Sequence, residues 1–497
     1  MKRRCALLPD PAGLCGVIVF LALTLSTGNR ALRDGDTLWH IRFGELMLDS
    51  GSLITSDTFS HTAFGQPWVA HEWLSEIVMA LCYRWAGLPG VAIFYFAVVG
   101  LTFTLLFKTA SRLAGDGPAL TAVAITLPFA MTHLLARPHV FTWLGAALTL
   151  HLLVRGGRAL WWLVPVTAVW ANLHGGVLLG LAIQTLYLAG TLLDNWPGAG
   201  GWRERIAPHR QELAVFIASL AAAACNPFGL QLYLFPLLVS SKVFSAEIGE
   251  WQTPDFRAIW YLRYWLVAVF LVAASCGRRL SWSWRLLLLL LVWQSMAHIR
   301  HVSLTVMLLT PCTALLIRDL AAAIPWRRIE APSGGDQLAL SPWTGPLLIV
   351  AGSLALLGSL AAFPAVASRY AGDRFRLPDG YSQGLVDHLA RNGFPGKRLL
   401  NHYSWGDYLI YALDQPPPVF IDGRADMYGE KIFSDYIAIS RLAPEADELM
   451  ARYDIDWVVF PDDHPFTRTY RIDPRWRTVY SDDEAVILAK AQGAAQP

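Results

Sequence analysis

The sequence predicts a polytopic α-helical membrane protein that ends in a small soluble α/β domain. Three observations predict it. The 497 residues are 54% hydrophobic and only 16% charged, against roughly 25% charged in soluble domains. The apolar residues are gathered into long runs, as passage through lipid requires. From about residue 366 those runs stop and charge returns. A net charge of +2 leaves no basic footprint for nucleic acid. The six cysteines lie at Cys5, Cys15, Cys82, Cys225, Cys276 and Cys312, without the spacing of a disulfide framework or a zinc site.

The first run follows Met1-Lys2-Arg3-Arg4 and lacks a small-x-small cleavage site after it. It therefore reads as an uncleaved first span. Further apolar runs at 89–107, 119–136, 138–154, 159–173, 175–193, 211–226, 259–276, 283–298, 302–317 and 344–364 bring the expectation to about 11 transmembrane helices. With the N-terminus inside, every inside loop carries basic residues, such as Lys108 and Arg112, Arg155 and Arg158, or Arg278 and Arg279. That is the positive-inside pattern. An odd count then puts the C-terminus outside. The expected division is a transmembrane domain over 1–365, with a first outer loop at 29–73, and an outer α/β domain over 366–497.

The chemistry-capable residues collect in the outer turns. The first outer loop carries Asp34-Gly-Asp36, His40, His71 and Glu72. Later turns carry Arg137 and His139, Asn172 and His174, Glu250, and Arg300 with His301. Ionisable groups at membrane depth are costly, so they tend to face a polar cavity and mark a site. Helix caps and interfacial anchors compete as explanations for any one turn. They account less well for all of them on one side.

Within the first loop, residues 36–49 predict a short interfacial helix. Trp39, Phe43, Leu46 and Met47 form its apolar face. Asp36 and His40, four apart, share a face, and Gly51 is placed to end the helix. A second helix is expected to begin near His71, its first half, which carries Glu76 and Arg84, lying at the interface rather than spanning. The carboxylates of Asp34 and Asp36 admit three readings: a general base for an acceptor hydroxyl, ligands of a divalent cation, or caps of the helix that follows.

Beyond residue 366, strands are expected at 398–401, 419–422, 457–460, 478–480 and 485–488. Helices are expected at 405–413, 430–441 and 444–453. Asp422-Gly-Arg424-Ala-Asp426 directly follows one of these strands, where loops often carry function. It reads either as an acceptor contact or as a structural Asp–Arg turn.

A first span followed by a long outer loop that opens on an acidic motif resembles the GT-C glycosyltransferases. Asp36-Thr-Leu-Trp-His-Ile-Arg42 is similar to the acidic segment of oligosaccharyltransferase catalytic subunits. More closely, the chain resembles the bacterial ArnT-like and RgtA/B/C/D-like membrane proteins. That likeness runs through Trp68-Val-Ala-His-Glu-Trp73, Arg137-Pro-His139, Trp170-Ala-Asn-Leu-His-Gly-Gly176, Asn226-Pro-Phe-Gly229, Glu250-Trp251, Arg300-His301 and Asp422-Gly-Arg-Ala-Asp426. The oligosaccharyltransferase acceptor motif appears only with its order broken, as Ser404-Trp405-Gly406-Asp407-Tyr408.

The resemblance implies a hexosyl- or pentosyltransferase in a bacterial inner membrane with its site facing the periplasm. Its donor would be a sugar linked to polyprenyl phosphate, and its acceptor a hydroxyl of a glycan, lipid or protein. Asp36 is the catalytic acidic residue it implies, with Asp34 second. No cofactor is certain; a divalent cation, Mg or Mn, held by Asp34 and Asp36 is the one candidate. Arg137, His139, Arg300 and His301 are placed for the donor phosphate. His71, Glu72, Asn172, His174 and Glu250 are placed for sugar hydroxyls, Asp422 and Arg424 for the acceptor, and His40 is a further substrate-binding candidate. A glycan polymerase or ligase using the same donors, and a non-enzymatic transporter or flippase for lipid-linked sugars, are the alternatives.

Overall fold

The computed structural model describes residues 8–195, 206–234, 242–259, 262–267, 270, 280–323, 340–362 and 380–491. The expected span at 259–276 and the expected domain boundary at 365 and 366 fall largely outside them. The helical part opens with α1 (Pro11–Ser26), α2 (Asp36–Ser50) and the 42-residue α3 (Trp73–Ala114). It continues through α4 (Asp116–Met131), α5 (His139–Arg155), α6 (Leu163–Leu173), α7 (Val177–Asp194) and α8 (Arg210–Ala223). It closes with α9 (Trp282–Ala297), α10 (His301–Leu308), α11 (Thr310–Ala323) and α12 (Thr344–Ala362).

Among the described residues, α3, α7 and α12 are each long and apolar enough to cross a membrane, and α10 with α11 makes a fourth such unit bent by 46°. Helices α1 and α4 are apolar but have 16 residues each. That is a length of about 24 Å, short of the roughly 30 Å hydrocarbon core.

At about 63 Å, α3 is twice the length a span needs. It breaks where the sequence reads Ala86-Gly87-Leu88-Pro89: Gly87 has φ 62° and Ala86 lies outside the helical region. Pro89 lacks the N–H that would continue the ladder. The segment before the break carries Glu76 and Arg84. The segment after it buries Tyr95, Phe96 and Phe103 in the main core with Trp143 and Met307.

Helix α2 departs from its expected setting. Its expected apolar face would lie against lipid, yet Thr37, Leu38, Trp39, His40, Ile41, Phe43, Gly44 and Met47 are all buried. Ile41 belongs to the core of the helical bundle. Leu38, Trp39 and Phe43 pack instead with Trp405, Leu409, Val459 and Ile487 of the C-terminal part. The helix is thus clamped between two bodies. Gly51, at φ 63°, ends it as expected.

The C-terminal part holds helices α13 (Gln383–Asn392), α14 (Tyr403–Ala412), α15 (Ala425–Ser440), α16 (Ala446–Arg452) and α17 (Pro465–Arg471). They surround a four-stranded sheet. With a two-residue pairing of β1 (Leu8–Pro9) and β2 (Leu340–Ser341) counted first, its strands are β3 (Leu399–Asn401), β4 (Trp457–Pro461), β5 (Trp476–Ser481) and β6 (Ala485–Lys490). The order is β3-β4-β6-β5, parallel between β3 and β4 and antiparallel elsewhere.

The expected strand at 419–422 does not join this sheet. Its backbone pairs with the first outer loop: Val419 N–H donates to Phe59 O at 2.9 Å, and His61 N–H donates to Val419 O at 3.0 Å. The Asn401 amide bridges to Phe420 N and Ile421 O, each at 2.8 Å. These bonds bring the loop that follows, residues 422–426, over the start of α2.

Candidate functional site

The turns that carry the candidate residues converge on one cavity of about 870 Å³, within the size range of small-molecule sites. Its walls come from the start of α2, the turns before α5, α7 and α10, the turn at Gly249–Trp251, and the 422–426 loop. Asp34, Asp36, His40, His71, Glu72, Arg137, His139, His174, Glu250, Arg300, His301 and Arg424 all line it. Asn172 and Asp422 are not among the lining residues.

At its centre lies an ion cluster. Arg137 Nη1 is 3.1 Å from Asp34 Oδ2 and 3.2 Å from Glu250 Oε2, while Nη2 pairs with Asp36. Arg300 reaches the other Glu250 oxygen at 3.4 Å and stacks over the Trp251 ring at 3.5 Å. Arg137 is therefore engaged by three carboxylates, where the sequence reading places it on a phosphate. The face of Trp251 is likewise covered by a guanidinium.

Asp34 also accepts the Asp36 N–H at 3.0 Å. It thus caps the start of α2 and pairs with Arg137 at once. Burial pushes the Asp36 carboxyl well above its usual range; Arg137 opposes this, and Asp34 and Glu250 add to it. Burial also works to raise Glu250, but Arg137 and Arg300 outweigh it and hold that carboxyl down at about 2.

A second cluster surrounds Glu72. Nε2 atoms of His174, His40 and His71 lie 3.0, 3.4 and 3.6 Å from its oxygens. Burial alone would raise this carboxyl; His71 and His174 more than reverse it and hold Glu72 below the usual range. His40 is itself fixed between Glu72 and Glu76, with Nδ1 3.2 Å from Glu76, and burial lowers it to about 3. It presents a neutral imidazole at the cavity wall. A third group gathers His133, His139, His298 and His301, with ring centroids 5.0 Å apart in the first pair and 5.3 Å in the last. The Nδ1 atom of His301 is buried with no hydrogen-bond partner.

Three expected substrate contacts have other partners. Asn172 accepts from Trp73 Nε1 at 3.0 Å and donates to Ala168 O and Cys225 O at 2.8 and 2.9 Å. Its amide ties α3, α6 and the turn after α8 together. Asp422 and Arg424 are 0% and 1% exposed. Arg424 donates to Asp422 and, at 2.8 Å, to Asp57 of the first outer loop. Tyr428 donates to Asp422 at 2.7 Å, and the rings of Phe43 and Trp68 lie 4.8 and 5.3 Å from the guanidinium carbon. The structural Asp–Arg turn describes this geometry better than a direct contact does.

The strut delivers Gly423 to the cavity. A Cβ on Gly423 would fall 2.2 Å from Asp36 Oδ1 and 3.1 Å from Asp407 Oδ2. Asp407 Oδ1 accepts the Gly423 N–H at 2.8 Å. Asp407, with Tyr381, Tyr403, His133 and Asp426, completes the lining and was not among the candidates. Its signal was the Trp405-Gly-Asp407-Tyr segment.

The expected divalent cation does not suit these groups. The two carboxylates that would hold it both face Arg137, a permanent cation. Among the described residues no cluster of three His, Cys, Asp or Glu is arranged to hold a metal.

No family model and no curated protein matches the chain. Solved structures do. The archaeal oligosaccharyltransferase AglB from Archaeoglobus fulgidus, in complex with an inhibitory peptide and a dolichol-phosphate, is similar at TM-score 0.60 and 10% identity, over 98% of this chain and 74% of that one. An Archaeoglobus fulgidus oligosaccharyltransferase complex with Zn and sulfate is similar at 0.51 and 10% identity, over 90% and 68%. ArnT from Cupriavidus metallidurans, bound to undecaprenyl phosphate, covers 97% and 99% at 14% identity; its TM-score of 0.47 adds nothing to the assignment. The chain has the fold of the GT-C glycosyltransferases.

Proposed function

We propose that this chain is a membrane glycosyltransferase. It moves a sugar, a hexose or a pentose, from a polyprenyl-phosphate-linked donor to a hydroxyl of a glycan, lipid or protein outside the cytoplasm. The observation that carries the reading is Asp36. It is a partly buried carboxylate of raised basicity, at the mouth of a cavity that basic groups line from separate turns. AglB, of the same fold, has been seen with a dolichol-phosphate, which supports the donor class. The topology belongs to the same proposal: about eleven spans, the N-terminus inside, the site and C-terminal domain on the periplasmic face of a bacterial inner membrane.

Asp36 takes the proton of the acceptor hydroxyl as its oxygen forms the new bond to the sugar's anomeric carbon. The bond from that carbon to the phosphate oxygen breaks, and its electron pair leaves on the polyprenyl phosphate. That leaving group needs neutralisation more than protonation. Arg300, which shares a single carboxylate, is placed to supply it, and His301, whose Nδ1 has no partner, to donate a hydrogen bond. His71, Glu72 and His174 form the polar wall for sugar hydroxyls. The Asp57–Arg424–Asp422 strut sets the position of Gly423, and through it the room around Asp36.

The donor side is tested by binding. Arg300→Ala is expected to weaken polyprenyl-phosphate binding about 10- to 100-fold, the equivalent of a lost charge-assisted hydrogen bond of about 1.5–3 kcal/mol. Titration of the purified protein with the lipid phosphate, read by intrinsic tryptophan fluorescence, measures it. Unchanged affinity would remove Arg300 from the donor site. Gly423→Ala tests the other wall. The added methyl would meet Asp36 and Asp407, so transfer is expected to fall on the order of 100-fold, the scale of a 1 Å misplacement. The thermal midpoint serves as the folding control.

A further inference from the structure

The ion cluster supports an inference about the site's own cation. Three carboxylates from two distant parts of the chain, Asp34 with Asp36 and Glu250, converge on one guanidinium, Arg137. Its Nη1 bridges Asp34 and Glu250, and Nη2 holds Asp36. Two of the remaining oxygens are also engaged: Asp34 Oδ1 accepts the backbone N–H of Asp36, and Glu250 Oε1 faces Arg300. Beside Asp36 Oδ1 the space is closed by Gly423, where even a Cβ would fall 2.2 Å from that oxygen. A divalent ion bound at Asp34 and Asp36 would sit beside a group that cannot give up its proton. It would have to displace that group from two of its three carboxylate partners.

We propose that Arg137 is the resident cation of this site, standing where a divalent metal would otherwise join the Asp34-Gly-Asp36 pair, and that transfer requires no metal. This rests on the reading of Asp36 as the group at the reacting centre. Arg137 acts through Asp36 and is a positioning residue. Its fork fixes the Asp36 carboxylate from one side while Gly423 bounds it from the other. It also joins the first outer loop to the turn at Gly249–Trp251, so the two walls of the cavity hold one geometry. The phosphate of the donor is left to Arg300 and His301.

The test uses the full-length protein in a membrane mimetic with Mn²⁺ alone as the probe, followed by electron paramagnetic resonance. The wild type is expected to bind no Mn²⁺ at the cluster and to keep its full transfer rate after chelation. Arg137→Ala frees the carboxylates. It is expected to gain a Mn²⁺ site that Asp34→Asn removes again, and to lose transfer at least about 100-fold. Added Mn²⁺ is expected to restore part of that loss. Mn²⁺ binding by the wild type that Asp34→Asn abolishes would overturn the proposal, as would inhibition of the wild type by chelator. Absence of Mn²⁺ binding by Arg137→Ala would overturn it too, since the carboxylates would then not form a vacated cation site. Should Arg137→Ala fold poorly, Arg137→Lys gives the same reading from a compact charge: metal-free, and slower than wild type because the fork is lost. If no donor supports transfer, the functional reading fails, while the Mn²⁺ measurements still decide the identity of the cation.

Discussion

Asp36→Asn is expected to lower transfer about 10²- to 10⁴-fold, the usual weight of a positioned general base, in a protein that remains folded. The amide is isosteric, keeps an acceptor for Arg137, and adds no volume against Gly423. The wild type's pH dependence should carry the same signature. Burial raises the Asp36 carboxyl above its ordinary range, with Arg137 only partly opposing it. A raised pKa means the carboxylate form is lost as pH falls through a value well above the roughly 4 of a free aspartate. The rate is therefore expected to rise with pH across that range, and Asp36→Asn to flatten the acid limb. A profile of kcat/KM against pH for both proteins measures it. A limb that survives in Asp36→Asn would assign the base elsewhere, with Asp407, another carboxylate of the cavity lining, the next candidate.

The second large effect is on stability. Arg424→Met leaves Asp57 and Asp422, both 0% exposed, without their shared guanidinium; only neutral donors remain, from Tyr428 and the residue-424 backbone N–H to Asp422 and from Phe59 and Ser60 to Asp57. Removing one partner of a buried ion pair costs about 3–5 kcal/mol. The loss of the contact with Phe43 and Trp68 adds to it. The strut joins the first outer loop to the C-terminal part, so the C-terminal part is expected to loosen from α2 first. Thermal unfolding in detergent, with proteolysis of the 56–67 segment as a local probe, reads both. The combined change Asp57→Asn with Arg424→Met should recover part of the loss, because it removes one of the stranded charges. An unchanged midpoint in Arg424→Met would refute the strut.

The gathering of the candidate residues in one place was legible because apolar runs confine polar groups to the turns between them. Lipid forces apolar runs and leaves His, Arg and carboxylates only at the turns, and twelve of the fourteen candidate residues line one cavity. The start and end of α2, and the break in α3 at Gly87 and Pro89, follow from local chemistry and could be read directly. What could not be read were pairings set by tertiary approach. Arg137 and Glu250 are 113 residues apart, and Arg424 and Asp57 are 367 apart; no local pattern announces either. The 419–422 segment has strand-like composition, yet its partner is the first outer loop and not the sheet, so propensity named the conformation and missed the contact. Asn172 looked chemical because it sits beside His174. Its amide is consumed by two carbonyls and an indole N–H, a role that composition does not distinguish from sugar binding.

The central claim is that this chain breaks a sugar–phosphate bond and makes a sugar–oxygen bond. The most direct measurement offers the purified, reconstituted protein a panel of labelled polyprenyl-phosphate sugars together with envelope glycan and lipid acceptors. The predicted result is label on an acceptor with an equal amount of polyprenyl phosphate released, and neither in the Asp36→Asn protein. No product from any donor, with labelled lipid-linked sugar instead crossing the liposome bilayer, would contradict the account and make the chain a transporter.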